Sequence, residues 1–133
     1  MASVTLQQLY KKFGDVTAVD KLQIDVEDGE FLTLLGPSGC GKSTALYCVA
    51  GLERPTSGEI LFDGKAVTAL EPHERNIAMV LQDYALYPHM SVRDNMGFGL
   101  KQQKLDDKII LQQVDAAAQR LDLGELMHRR PAE

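Results

Sequence analysis

Tryptophan is absent from this sequence of 133 residues, aromatic residues make up only 6% of it, and cysteine occurs only twice. Two cysteines are too few for a scaffold held together by disulfides. No stretch approaches the roughly 18 consecutive apolar residues that a membrane-spanning helix requires. Residues 1–5 lack the basic and apolar regions of a signal peptide, so we expect the chain to remain in the cytoplasm.

Positive charge is also scarce. The 19 acidic residues exceed the 14 basic ones and give a net charge of -5. Because the phosphates of nucleic acids and anionic lipids attract basic surfaces, this balance argues against either as the main partner. Hydrophobic residues at 44% and charged residues at 25% are typical of a globular chain that buries a core. The length allows one ordinary domain.

The first third of the chain has the patterns of β-structure. Residues 4–9 and 21–26 alternate between apolar and polar side chains, as half-buried strands do. Residues 59–62 predict a further short strand that ends in the turn Asp63-Gly64. This part of the sequence therefore indicates antiparallel strands.

Two nearly continuous apolar runs follow a different pattern. Residues 31–35 and 76–81 contain few polar side chains. Strands of a parallel sheet that is covered on both faces have this composition. We therefore predict a buried strand at each run, with Gln82 directly after the second.

Helices are predicted in three places. Residues 43–50 have the spacing of a short helix that Gly51 ends, and Ser91 with Asp94 resembles a capping box that opens another. Residues 105–121 carry apolar side chains at helical spacing. These apolar positions are Ile110, Val114, Ala117, Ala118 and Leu121. The order of elements predicts an α/β chain with an antiparallel flank.

Residues 36–44, GPSGCGKST, match the phosphate-loop pattern G-x-x-x-x-G-K-[ST] in full. Glycines let the backbone turn its N–H groups toward a phosphate, and the helix that follows aims its N-terminus at the same anion. The pattern assigns Lys42 to the β- and γ-phosphates and the hydroxyl of Ser43 to Mg²⁺. The alternative is a chance glycine-rich turn, but the predicted strand before it and helix after it favour nucleotide binding. The predicted contacts are Ser38, Gly39, Cys40, Gly41, Lys42, Ser43 and Thr44.

Cys40 lies inside this loop and has two interpretations. It is either a small residue that fits, or a thiol made reactive by the helix N-terminus. Geometry argues against a disulfide with Cys48, because the largely helical separation puts the Cα atoms about 10–12 Å apart. A disulfide requires less than about 7 Å.

The phosphate loop, the segment GLERPTSGEILFDG and the segment ERNIAMVLQDYALYPHMSVRDNMGFGLK together resemble the ATP-binding subunits of ABC transporters. The resemblance is to the carbohydrate-importer branch, which includes the maltose-transporter ATPase. It implies an α/β P-loop NTPase core with an antiparallel β flank and a partial helical subdomain. Residues 1–88 are then the N-terminal part of the nucleotide-binding domain, and residues 89–133 begin the helical subdomain. ATP and Mg²⁺ are the implied cofactors.

The same resemblance implies roles for further residues. Phe13 matches the aromatic residue that stacks on adenine, although it also fits a core residue beside a turn. Gln82 matches the Q-loop glutamine, which contacts Mg²⁺ and the attacking water, although a glutamine after a strand is usually only solvated. A partner interface is implied for Tyr84, Ala85, Leu86, Tyr87, Pro88 and His89. This segment would receive a transmembrane permease subunit at the inner face of the membrane, the alternative being that its side chains pack inward. A second ATP-binding subunit is the other implied partner.

Members of the family continue from the counterpart of residues 129–133 directly into the LSGGQ signature, followed by the Walker B aspartate and the catalytic glutamate. None of these motifs occurs among the 133 residues, and Asp63 is better explained as part of a hairpin turn. We therefore expect nucleotide binding without efficient hydrolysis, and poor coverage of the apolar side chains Leu32, Leu34, Ile77 and Met79. The alternatives are a nucleotide-binding remnant with no transport role and a small nucleotide kinase, for which the chain shows neither a basic lid nor an acceptor site.

Overall fold

A computed structural model describes residues 2–81 and 86–132. Gln82, Tyr84 and Ala85, which the resemblance assigns to sites, lie outside the described residues. The chain forms two compact units, Met1–Met79 and Val80–Glu133. The functional division at residue 88 stays a prediction.

The first unit contains a four-stranded antiparallel sheet with the strand order β2-β1-β3-β4. Its strands are β1 (Val4–Phe13), β2 (Val16–Val26), β3 (Ser57–Phe62) and β4 (Lys65–Ala66). The alternation at residues 4–9 and 21–26 correctly predicted β1 and β2, but both strands extend further. The register between them shifts where Gln8 and Lys21 adopt positive φ, and such bulges interrupt the alternation on which the predicted limits were based.

One helix, α1 (Lys42–Ala50), packs on this sheet and ends at Gly51 as predicted. Gly51 adopts a φ of 78°, and its N–H bonds the carbonyl of Cys48, which closes the last turn. Cys48 is fully buried, together with Leu9 and Ile60. The core also contains Leu6, Val19, Ala45 and Val67.

The two predicted parallel strands are not formed. Residues 31–35 and 76–81 have no regular secondary structure, and the exposed fraction reaches 92% at Phe31 and 90% at Val80. The physical reason is that a strand needs a hydrogen-bonded neighbour, and no described strand pairs with either run. Of the four side chains expected to be poorly covered, Leu32 and Ile77 are exposed, and Leu34 and Met79 are partly buried.

The second unit contains α2 (Val92–Gln102) and α3 (Asp107–Arg120). Short 3-10 helices occur at Pro72–Glu74 in the first unit and at Gly124–Leu126 in the second. The predicted cap of α2 is confirmed, because the Ser91 hydroxyl accepts the N–H of Asp94 at 3.1 Å. In the parts of the chain that the structure describes, no helix has the length and apolarity needed to cross a membrane.

The apolar stripe predicted over residues 105–121 is largely correct. Ile110, Val114 and Ala118 are buried and form a small core with Met127. Leu121 is instead exposed, because α3 ends at Arg120 and the chain turns away from the stripe there. The periodicity therefore identified the buried face but placed the end of the helix too late.

Candidate functional site

The phosphate loop leads directly into α1. Gly39 and Gly41 adopt φ values of 82° and 90°, which side chains other than glycine rarely tolerate. Gly41 caps the helix without any side-chain hydrogen bond, and the first turn of α1 carries no acidic residue. Neither a capping side chain nor a first-turn carboxylate therefore competes for the first N–H groups of α1, which suits an anion site.

The loop is fixed against the sheet at Gly41. A Cβ atom at this position would lie 2.0 Å from the carbonyl oxygen of Ala18 on β2 and 3.5 Å from a methyl group of Val19. No side chain fits there. The close approach requires glycine and sets the position of the helix N-terminus relative to the β1–β2 hairpin.

Lys42 points back into the loop. Its ammonium group donates hydrogen bonds to the carbonyl oxygens of Gly36 at 2.8 Å and Pro37 at 2.7 Å, and it lies 3.3 Å from the sulfur of Cys40. The positive charge is thus held inside the predicted phosphate site. A phosphate oxygen can take the place of either carbonyl as acceptor, which agrees with the role predicted for Lys42.

Ser43 follows Lys42 and is exposed. The described residues contain no group of three or more His, Cys, Asp or Glu side chains able to hold a metal ion. One hydroxyl fits Mg²⁺, because this ion takes one or two protein ligands and completes its shell with phosphate oxygens and water. The predicted second ligand, Gln82, lies outside the described residues.

The two cysteines differ in environment. Both are free, as predicted, with Cys40 exposed in the loop and Cys48 buried under α1. Burial raises the pKa of the Cys48 thiol, and the nearby charge of Lys11 opposes this rise. Cys40 is accordingly the accessible thiol of the pair.

Phe13 lies at the tip of the same hairpin that contacts the loop. It pairs with Val16 in the sheet, two residues from Ala18 against which Gly41 packs. Its side chain is half exposed, which contradicts the alternative of a core residue. The ammonium group of Lys11 lies 4.6 Å from the centre of the Phe13 ring.

Arg75 was not identified from the sequence, yet it joins three segments of the first unit. Only 4% of it is exposed, and its guanidinium donates five hydrogen bonds to backbone carbonyls. The acceptors are Cys48 and Val49 at the end of α1, and Thr68 and Leu70 before the 3-10 helix. Burial lowers the pKa of Arg75 from its usual value, but an arginine guanidinium stays charged at neutral pH. In the sequence, Arg75 is only a single arginine before the apolar run at residues 76–81, and nothing in that pattern predicts its burial.

In the second unit, the predicted partner segment is described from Leu86 onward. Leu86, Tyr87, Pro88 and His89 are exposed, although the Tyr87 ring also contacts Phe98 at 4.5 Å between ring centres. Asn95 fixes the shape of this loop. Its amide oxygen accepts the N–H of Tyr87 at 2.8 Å, and its amide nitrogen donates to the carbonyls of Tyr87, Met90 and Ser91.

A family model described as ABC transporter matches residues 19–133, which include the phosphate loop and both helices of the second unit. The chain belongs to the ABC transporter family. This confirms the family predicted from the three sequence segments.

Curated relatives support the assignment along the whole chain. The chain is 54% identical over 132 residues to the sn-glycerol-3-phosphate import ATP-binding protein UgpC of Bordetella pertussis, which covers 98% of this chain. It is 54% identical over its full length to the protein of the same name from Yersinia enterocolitica. The chain spans only 36% and 37% of these relatives.

A solved structure supports the fold. It is a dimeric ATP-binding cassette protein in a post-hydrolysis state, bound to ADP and phosphate. Its TM-score with this chain is 0.85 at 24% identity, over 97% of this chain and 62% of the other. The predicted fold class is confirmed: this is a partial α/β domain of the ATP-binding cassette type, with an antiparallel sheet.

Proposed function

We propose that this chain is the ATP-binding portion of an ABC transporter ATPase subunit that energises the import of a sugar or a related solute. The observation that carries the proposal is the phosphate loop, in which the Lys42 ammonium bonds the loop carbonyls, and α1 begins there with no side-chain cap and no acidic residue in its first turn. The relatives named for sn-glycerol-3-phosphate import make a polyol phosphate one candidate solute.

In this function the β- and γ-phosphates occupy the loop of residues 36–44. Lys42 exchanges its carbonyl acceptors for phosphate oxygens, and the N–H groups at the start of α1 donate to the same anion. Ser43 and Gln82 hold Mg²⁺, which neutralises phosphate charge when bound. Phe13 stacks on the adenine, a contact that accepts any base through its π-face.

The proposed partners are a second ATP-binding subunit and the transmembrane permease subunits, which place the protein at the cytoplasmic face of the membrane. Residues 84–89 form the proposed permease interface. The exposed Leu86 and Tyr87 support it, because neighbouring apolar side chains on a surface favour a protein contact. Asn95 keeps this loop in one conformation before the partner arrives.

The test is ATP binding by the purified chain and by two variants. Lys42→Ala should abolish binding, whereas Lys65→Ala, which removes an exposed lysine from β4, should leave it unchanged. Equal affinity of the Lys42→Ala variant and the unsubstituted chain would overturn the assignment. A phosphate-release assay on the same proteins tests hydrolysis, for which we propose no turnover above that of Lys42→Ala.

Thiol labelling gives a second measurement on the same loop. A bulky thiol reagent should modify Cys40 and block ATP binding, and Mg-ATP should slow the modification. Cys48 provides an internal control, because its burial protects it with or without nucleotide. If Mg-ATP leaves the labelling rate of Cys40 unchanged, nucleotide does not occupy the loop.

A further inference from the structure

Lys11 is a largely buried lysine on β1, and the predicted chemistry of the phosphate loop gives it no role. Its side chain is only 13% exposed, and its ammonium group lies 2.7 Å from the carboxylate of Glu53. The same group donates a hydrogen bond of 2.7 Å to the carbonyl oxygen of Arg54. Both partners follow α1 in the chain, so the ammonium is anchored to the segment after the phosphate-loop helix.

This anchored charge covers one face of the Phe13 ring. Lys11 and Phe13 are two residues apart on one strand, so their side chains leave the same face of the sheet. The ammonium group lies 4.6 Å from the ring centre, within the range of a cation–π contact. Glu53 and Arg54 hold the ammonium in place against the ring, and the Phe13 side chain is still 46% exposed, which leaves surface for another planar group.

We propose that Lys11 is a positioning residue of the adenine site, which fixes the Phe13 ring and directs the base to the ring face opposite the ammonium. The inference rests on the proposed function, because it takes Phe13 as the residue that stacks on adenine. It extends that function by tying the base site to the segment after α1. The phosphate loop then leads into α1, and the Phe13 ring is tied through Lys11 to the residues that follow the same helix.

The experiment compares a ligand that has a base with one that lacks it. ATP and inorganic tripolyphosphate both occupy the phosphate loop, but only ATP reaches Phe13. Lys11→Met keeps the length of the side chain and removes the charge. It should weaken ATP binding about 2- to 5-fold, the equivalent of one partly exposed cation–π contact, and leave tripolyphosphate affinity unchanged.

Lys12→Met is the matched control. Lys12 is the next residue on the same strand, its side chain is 40% exposed, and its ammonium lies 3.5 Å from Asp15. Lys12→Met removes one positive charge from the residue next to Phe13, but its ammonium pairs with Asp15, whereas the cation–π contact with the ring is that of Lys11, so neither affinity should change. Equal weakening by Lys12→Met, or equal loss of ATP and tripolyphosphate with Lys11→Met, would show a general charge effect and overturn the proposal.

Two further variants separate positioning from folding. Lys11→Arg retains a cation that can pair with Glu53 and should keep ATP affinity within about 2-fold of the unsubstituted chain. In a Phe13→Ala background, Lys11→Met should cause no additional loss, and a persistent loss would overturn the proposal. Failure of the proposed function looks different, because the unsubstituted chain would then bind neither ATP nor tripolyphosphate.

Discussion

Two sets of apolar residues in this chain lie in opposite environments. Leu9 and Ile60 lie on the antiparallel sheet beneath α1 and are completely buried. Residues 31–35 and 76–81 are at least as apolar, yet Leu35 is 88% exposed. Apolar composition alone therefore does not decide which segments of this chain form a core.

The difference follows from where each strand finds its neighbour. β1 pairs with β2 across the tight turn at Gly14-Asp15, and β3 pairs with β4 across Asp63-Gly64. Antiparallel partners of this kind are adjacent in the chain, whereas parallel strands are joined through long crossovers and depend on distant segments. The two hairpins are joined by the pairing of β1 with β3, which are distant in the chain but both described. The antiparallel sheet thus has its partners within the described residues, whereas the two apolar runs are not paired there.

The largest expected effect sharpens this comparison directly. Leu9→Ala should lower the free energy of unfolding by about 2–5 kcal/mol, because it leaves a cavity in a closed core. Leu35→Ala removes the same atoms from an exposed site and should change it by less than about 0.5 kcal/mol. Urea titrations followed by circular dichroism measure both. Similar losses in the two variants would show that residues 31–35 are packed in solution.

A second comparison sets a buried arginine against an exposed one. Arg75→Met should lower the free energy of unfolding by about 2 kcal/mol or more, because four carbonyl oxygens lose a charged donor. Arg93 lies 2.8 Å from Asp115 on the surface of the second unit, and Arg93→Met should cost less than about 0.5 kcal/mol. Thermal unfolding of each variant gives the values. A larger cost for Arg93→Met would reverse the order that burial predicts.

The cap of α2 provides a smaller effect in the second unit. Ser91→Ala removes the acceptor for the N–H of Asp94 and should cost about 1 kcal/mol. Ser91→Thr keeps a hydroxyl and serves as the control. Hydrogen exchange of the first-turn amides of α2 reports the loss locally. Equal protection of these amides in the two variants would mean that the cap does not stabilise the helix.

The smallest expected effect is a dependence on pH. The hydrogen bond from Ser91, and then that from Lys101, holds the pKa of the Asp94 carboxyl below its usual 3.8. A lowered pKa in the folded state stabilises the fold above about pH 3.8, and this contribution is lost as the pH falls through the lower folded value. Acid titration of Ser91→Ala should show a weaker loss in this range than the unsubstituted chain. If the acid-unfolding curves of Ser91→Ala and the unsubstituted chain are identical, Asp94 does not contribute to the pH dependence of stability.

Short-range signals predicted this chain well. Gly51, the turn at Asp63-Gly64 and the cap at Ser91 each act within a few residues, and the structure has all three where they were predicted. The phosphate-loop pattern is likewise a local arrangement of consecutive residues, and α1 begins after Gly41 with the Lys42 ammonium bonded to the loop carbonyls, while the nucleotide contacts stay predictions.

Long-range contacts were missed or misjudged. The buried strands predicted at residues 31–35 and 76–81 require partners that the sequence pattern cannot supply. Arg75 was missed because its acceptors at Cys48 and Val49 lie 27 and 26 residues away, and Lys11 because its acceptor Arg54, with Glu53 beside it, lies 43 residues away. From sequence alone a charged residue is predicted to be exposed, because the groups that bury it are distant in the chain.

The two ends of α1 are held by contacts that leave no room for a single methyl group. At the N-terminus of α1, Gly41 packs against the Ala18 carbonyl. At the C-terminus, a Cβ atom on Gly51 would lie 2.7 Å from the Arg75 side chain. With both ends packed this closely, we expect α1 to shift little relative to the sheet. The conformational entropy of its N–H groups is therefore given up during folding. An anion bound there, as we propose, would meet donors that are already aligned and would spend little of its binding energy on ordering them.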